Sequence, residues 1–170
     1  MYNSDGDNMI KVAVSACLVG KNTKYDGTNN YNQAVMDYLK DKEYILICPE
    51  VFGGLLIPRI PIEIVDGKAM NKQGQDVSEA FERGSQMALS LLEKYPSIHT
   101  IILKDSSPSC GSKEIYDGSF SGKKISGQGY FTRLISDKYK IINENEVNDL
   151  FIKKWRSGLT QIVLSYLWIS

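Results

Sequence analysis

Lys11-Val12-Ala13-Val14-Ser15-Ala16-Cys17 is a short, nearly unbroken apolar run that ends on a cysteine. The pattern recurs: Tyr44-Ile45-Leu46-Ile47 runs into Cys48, and Thr100-Ile101-Ile102-Leu103 is followed a few residues later by Cys110. Runs this short and this aliphatic read as buried strands. Working outward, Ala34, Val35, Tyr38 and Leu39 recur at helical spacing and predict a helix over about 31–41. Asp76 is the favoured cap of a long helix to about Glu93, with Val77, Ala80, Phe81, Gly84, Ala88, Leu91 and Leu92 on its inner face. Further helices are expected at about 128–137 and from about Asn145, and strands at about 10–16, 43–47, 99–104 and 139–142. Strands and helices in alternation predict an α/β fold: a single-domain, mostly parallel, Rossmann-like three-layer sheet with helices on both faces.

Two stretches break the alternation. From Val51 to Gln75, Gly53-Gly54, Pro58 and Pro61 argue against a helix, and Ile62-Glu63-Ile64-Val65 before Asp66-Gly67 reads as a small strand and turn. From Asp105 to Gly129 the chain is dense in Ser and Gly and reads as a loop of about 25 residues, a length that usually signals function. These long functional loops are expected at the carboxyl-terminal ends of the strands. Residues 1–9 read as a flexible polar leader, 10–150 as the domain, and 151–170 as a C-terminal helical extension. In that extension Trp155, Leu159, Ile162, Val163, Tyr166 and Leu167 suggest packing on the sheet or on a second copy, as a homodimer.

Lys plus Arg and Asp plus Glu number 20 each, so the net charge is zero. Nothing supplies the positive field that nucleic acid requires, and no nucleic-acid partner is expected. No apolar run approaches the roughly 18 residues of a membrane span, so no membrane partner is expected. Three cysteines at long, irregular spacing argue against a secreted disulfide framework and for a reducing, cytoplasmic setting.

In an open parallel sheet ligands bind beyond the carboxyl ends of the strands, so Cys17, Cys48 and Cys110 can converge. Singly, a buried cysteine is most often a small hydrophobe. Three at strand ends beside Gly- or Pro-containing loops match an iron–sulfur cluster with one open iron, or a metal such as catalytic zinc that keeps a substrate position. Zinc usually recruits histidine, and the sole candidate, His99, falls at the opposite end of its strand. Glu50, two residues after Cys48, reads either as a general base beside a bound group or as a salt-bridge partner of Arg59. Ser106-Ser107-Pro108-Ser109-Cys110-Gly111-Ser112 sets hydroxyls around one thiol, to donate to cluster sulfides or substrate oxygens or simply to form a solvated turn. No nucleophile elbow of the Gly-x-Ser-x-Gly type occurs. Lys24-Tyr25-Asp26-Gly27 and the segment from Tyr116 to Gly122 read first as turns, and Gly127-Gln128-Gly129 is too short for a dinucleotide fingerprint.

Taken in order, these segments resemble the thiouracil desulfurase family. The resemblance rests on Ser15-Ala16-Cys17-Leu18-Val19-Gly20, Lys24-Tyr25-Asp26-Gly27, Cys48-Pro49-Glu50-Val51-Phe52-Gly53-Gly54-Leu55, Pro58-Arg59 and Gly74-Gln75-Asp76-Val77. It continues through Ser107-Pro108-Ser109-Cys110-Gly111, Ile115-Tyr116-Asp117-Gly118-Ser119-Phe120-Ser121-Gly122 and Gly127-Gln128-Gly129. It implies that Cys17, Cys48 and Cys110 bind a 4Fe–4S cluster through three irons, a cluster expected to be lost from an aerobically prepared sample. It implies non-redox conversion of 2-thiouracil, a small thiolated base, to uracil and sulfide, with the open iron binding the substrate sulfur. Glu50 matches the catalytic acid/base and Ser107 the catalytic serine, while Lys24, Tyr25, Asp26, Ser109 and Gly111 fall where substrate contacts are expected. The family more often has Arg at the position of Lys24, and a lysine cannot reproduce a bidentate guanidinium contact. Two other readings keep the thiols: cluster-dependent sulfur transfer or desulfuration of another thioamide or thiolated nucleobase, and a non-catalytic metal- or redox-sensing module.

Overall fold

In the computed structural model, which describes residues 10–150 and 152–153, both faces of the central strands are covered. The elements in chain order are β1 (Ile10–Ser15), a 3-10 turn (Ala16–Val19), α1 (Gln33–Leu39), β2 (Glu43–Ile47), α2 (Pro49–Phe52), β3 (Ile62–Val65), β4 (Lys68–Asn71) and α3 (Ser78–Glu93). β5 (Thr100–Leu103), β6 (Glu114–Tyr116), β7 (Lys124–Ser126), α4 (Tyr130–Ile135) and β8 (Lys140–Asn143) follow. The chain then turns helical from Glu144.

The main sheet has the order β2-β1-β5-β8, and every neighbouring pair in it is parallel. Alternate residues of a strand point to opposite faces, so each face has its own core. Ala13, Ile101 and Leu103 pack with Leu89 and Leu92 of α3 and with Phe131 and Ile135 of α4. Val12, Val14, Ile102 and Ile142 pack with Val35 and Leu39 of α1 and with Val147 of the last helix. The result is the three-layer, Rossmann-like α/β domain that the alternation predicts. Chain order reverses between β1 and β5, and beyond the carboxyl ends at such a switch point a crevice opens.

The sequence reading and the structure part at four places. Helix α2 occupies Pro49–Phe52 because proline presets the backbone of the first helical position, and the two glycines end the helix rather than forbid it. Helix α3 begins at Ser78 with Val77 in the cap position, while Asp76 Oδ1 accepts the Ser78 N–H at 3.0 Å. The strand at Ile62–Val65 has a partner, β4, across Asp66-Gly67, where both φ values are positive as a tight hairpin turn requires. The stretch 105–129 is not structureless, since β6 and β7 form an antiparallel ladder inside it. The leader expected at 1–9 and, apart from residues 152–153, the extension expected at 151–170 lie outside the described residues. Among the described residues no helix is long and apolar enough to cross a membrane.

One contact fixes α2 against α3. A Cβ on Gly53 would lie 2.0 Å from the carbonyl oxygen of Ala80, and one on Gly84 would lie 1.8 Å from that of Pro49. Only hydrogen fits at either position, so the helices touch backbone to backbone. Arg83 Nη2 adds a hydrogen bond to the Gly53 carbonyl at 2.6 Å. Helix propensity alone would make Gly84→Ala stabilising by about 1 kcal/mol. The clash reverses that sign: we expect a net destabilisation of about 1–3 kcal/mol, read from the urea midpoint. An unchanged or raised midpoint would show that α2 is free to move.

Candidate active site

The carboxyl edge of the sheet gathers the three cysteines. Cys17 lies in the 3-10 turn after β1, Cys48 caps α2 directly after β2, and Cys110 follows the serine-rich loop after β5. All three are free thiols and line a single cavity of about 440 Å³, together with Glu50, Ser107 and Ser109. Lys24 and Tyr25 also line it, whereas Asp26 and Gly111 do not. Asp26 instead accepts from the backbone and hydroxyl of Thr28 at 3.0 and 2.6 Å and pairs with Lys24 at 3.2 Å. Gly111 donates its N–H to the Ser107 carbonyl at 2.8 Å, closing the loop around Cys110.

Burial dominates the thiols. It pushes Cys17 up to about 11, a hydrogen bond with Asn30 opposes the rise, and neighbouring Cys48 adds to it. Cys48 is raised by burial first and further by the Glu50 carboxylate, against a hydrogen bond from the Val51 backbone. Cys110, 5% exposed, is raised by burial and then by Cys48 and Cys17. Cys17 and Cys110 therefore each feel the Cys48 thiol across the cavity.

Among the described residues no three His, Cys, Asp or Glu side chains stand close enough to hold one metal ion. A mononuclear zinc site would need its ligand atoms within about 2.0–2.3 Å of one point. A four-iron cluster takes each thiolate on a different iron, so its ligands stand farther apart. His99 is no help to zinc: its N–H donates to the Lys11 carbonyl at 3.3 Å, at the amino-terminal end of the sheet. Three soft thiols on one cavity are the donor set of an iron–sulfur cluster.

Glu50 makes the salt bridge to Arg59 that the sequence offered as one of its two readings. Arg59 donates through Nε at 2.9 Å and through Nη2 to the same oxygen, Oε2, and both side chains are nearly buried, 12% and 9% exposed. The guanidinium also donates to the carbonyls of Thr23 at 3.1 Å and Leu56 at 3.3 Å, tying two loops to α2. Oε1 faces the serines. Ser109 Oγ donates to it at 2.8 Å, while Ser107 Oγ stands 3.5 Å away.

The proton inventory of Ser107 orders this chain. Its oxygen accepts the N–H groups of Ser109 and Cys110, each at 3.2 Å. With both lone pairs used, its own proton points to Ser109 Oγ at 2.9 Å. The direction is Ser107 to Ser109 to Glu50.

Two supports of the site carry no local signal in sequence. Asp105 Oδ1 accepts the N–H groups of Ser112, Lys113 and Glu114 at 2.9, 3.0 and 3.3 Å, folding the serine loop back on itself. Next to it Ser106 takes a left-handed φ of 61°, uncommon for a residue with a side chain. Lys104 lines the cavity and pairs with Glu144 at 2.7 Å, and Asp105 N–H donates to the other Glu144 oxygen at 2.8 Å. Asp105 acts on backbone that the fold brings to it, and Glu144 lies in another element, so no local pattern announces either.

Comparison with known proteins agrees with this geometry. The model of the 2-thiouracil desulfurase family matches residues 12–146. The uncharacterized protein YbbK of Bacillus subtilis (strain 168) is 36% identical over 150 residues, covering 82% of this chain and 99% of its own. A solved structure of the 4Fe–4S-dependent thiouracil desulfidase TudS superposes with a TM-score of 0.75 at 35% identity, over 85% of this chain and 97% of that one.

Removing the guanidinium leaves Glu50 buried without its cation. Arg59→Met should cost about 3 kcal/mol of stability and speed amide exchange in the loop around Thr23. Normal exchange there would refute the tie.

Burial pushes the Asp105 carboxyl up, but the N–H groups of Lys113, Ser112 and Glu114 outweigh it and hold the group below its usual range. A depressed carboxylate adds stability above its unfolded value of about 3.9, lost as pH falls through the folded value. The denaturation midpoint of the wild type should therefore fall more steeply below about pH 4 than that of Asp105→Asn. Parallel profiles would remove Asp105 from that role.

Proposed function

We propose that this chain, which belongs to the 2-thiouracil desulfurase family, hydrolyses the carbon–sulfur bond of a thiolated pyrimidine. 2-Thiouracil and water would give uracil and hydrogen sulfide, with no net oxidation or reduction. The observation that carries this reading is Glu50, held by Arg59 and Ser109 on the wall of the cavity that the three thiols share. A 4Fe–4S cluster held by Cys17, Cys48 and Cys110 would supply a Lewis-acidic iron for the substrate sulfur.

The chain's own residues supply the rest. Arg59 occupies Oε2 and fixes the plane of the carboxylate, so Oε1 is the oxygen that works as base. Glu50 takes one proton from the water that adds to the C2 carbon and a second from the resulting hydroxyl as the carbonyl forms, passing each in turn to the departing sulfur, which leaves as hydrogen sulfide. Ser109 holds Oε1 in place, and Ser107, which donates to Ser109, is the next hydroxyl along the chain. Ser107 thus acts through Ser109. Pro61 and Tyr116 also line the cavity.

Protein reconstituted without oxygen should release sulfide from 2-thiouracil. Glu50→Gln should slow that release by about 10²–10⁴-fold while the cluster absorbance persists. A metal- or redox-sensing module would not need Glu50, so full turnover in Glu50→Gln refutes the catalytic reading. Turnover that survives Cys48→Ala would refute the cluster as its cofactor.

A further inference from the structure

Two carboxylates of the cavity besides Glu50 are left unused by this reaction, and of these Asp105 is taken up by the backbone of its own loop while Glu63 is not. Glu63 lies on β3, is 8% exposed and lines the same cavity as the three thiols. Its Oε2 accepts the N–H groups of Gly118 at 2.9 Å and Phe120 at 3.0 Å, so it holds the loop that follows β6. Among the described residues nothing in the protein donates to Oε1, and no lysine or arginine pairs with the group. Glu50, by contrast, has both oxygens engaged.

Among the described residues only Ser85 Oγ is a buried side-chain polar atom without a partner, so Glu63 Oε1 is open to the cavity that the residue lines. A carboxylate oxygen accepts, so a ligand that meets Oε1 there brings a donor. The thiolated pyrimidine ring carries such donors as ring N–H groups beside its thiocarbonyl and carbonyl carbons. We infer that Glu63 Oε1 accepts a ring N–H of the substrate and makes Glu63 a specificity-determining residue. The inference rests on the desulfurase reading and narrows it: substrates bear a free N–H at that position, and bases alkylated there are rejected.

Uracil tests this without turnover, because it keeps both ring N–H groups and has no sulfur to lose. Its affinity for cluster-loaded protein is compared with those of 1-methyluracil and 3-methyluracil, in the wild type and in Glu63→Gln. The glutamine keeps a carbonyl for Gly118 and Phe120 but presents a donor where Oε1 stood. In the wild type one of the two methyl groups should weaken binding by about ten- to a hundredfold, the worth of a hydrogen bond to a charged group. Glu63→Gln should weaken uracil by a similar factor and leave that one methylated base unchanged, since the bond is already gone from it.

Equal loss for all three ligands would make Glu63 a loop support only and overturn the inference. So would a wild type that binds the three alike or binds none, a result that does not depend on the variant folding. Sulfide release is scored separately. Discrimination through Glu63 without sulfide release from 2-thiouracil sinks the desulfurase reading and spares this one, and release with no discrimination does the reverse.

Discussion

Parallel pairing of β1 with both β2 and β5 is the constraint from which the site follows. Parallel strands end on one edge, so the residues that follow them emerge together however far apart they lie in sequence. Because chain order reverses between β1 and β5, the loops after them leave in opposite directions and open the crevice. Cys17 and Cys110 flank that reversal, and Cys48 follows the next strand out. Three thiols meet in one cavity without any local sequence motif joining them.

Convergence of strand ends gives proximity but not orientation, and α2 supplies the second. It carries Glu50 one residue past its start, and its distance from α3 is set by the backbone contact at Gly53 and Gly84. A four-residue helix has almost no stability of its own, so the packing, not propensity, holds it. The Glu50–Arg59 pair serves the same end. Removing two charges from water offsets most of what their attraction returns, and the gain is that a carboxylate is fixed while two loops are tied through Thr23 and Leu56.

What was legible in the sequence was what local pattern encodes. The aliphatic runs gave the four main strands, helical spacing gave α1 and α3, and Asp66-Gly67 marked a turn. β4 went unseen because Lys68-Ala69-Met70-Asn71 has no β-branched residue, and β6 and β7 because three-residue strands leave too little alternation to read. The cysteines and Glu50 stood out by residue type beside strand ends, and Ser107 was singled out by the family resemblance alone. Ser109, the direct partner of Glu50, was distinguishable from Ser107 only by counting lone pairs on coordinates. Glu63, Asp105 and Glu144 were hidden for one reason. Each works through backbone or side chains brought close by the fold, and Glu63 in a short strand looks like any polar residue on an exposed face.

The charges of the cavity argue for a cationic guest. Ionising Cys17, Cys48 and Cys110 would add three negative charges beside Glu50 and Glu63, in a place where burial already raises every thiol. The cations on the wall do not offset that sum, since Arg59 is committed to Glu50, Lys104 to Glu144 and Lys24 to Asp26. Empty, the cavity therefore favours neutral thiols. Binding metal there requires thiolates and releases their protons, and the metal's own charge supplies the compensation that the chain lacks. Either zinc or a cluster would serve that balance. The comparison favours the cluster, since the similar solved structure is that of a 4Fe–4S-dependent desulfidase. On the reading proposed above, a cluster held by these three thiolates would keep one coordination position for the substrate sulfur, in the cavity that Glu50 also lines.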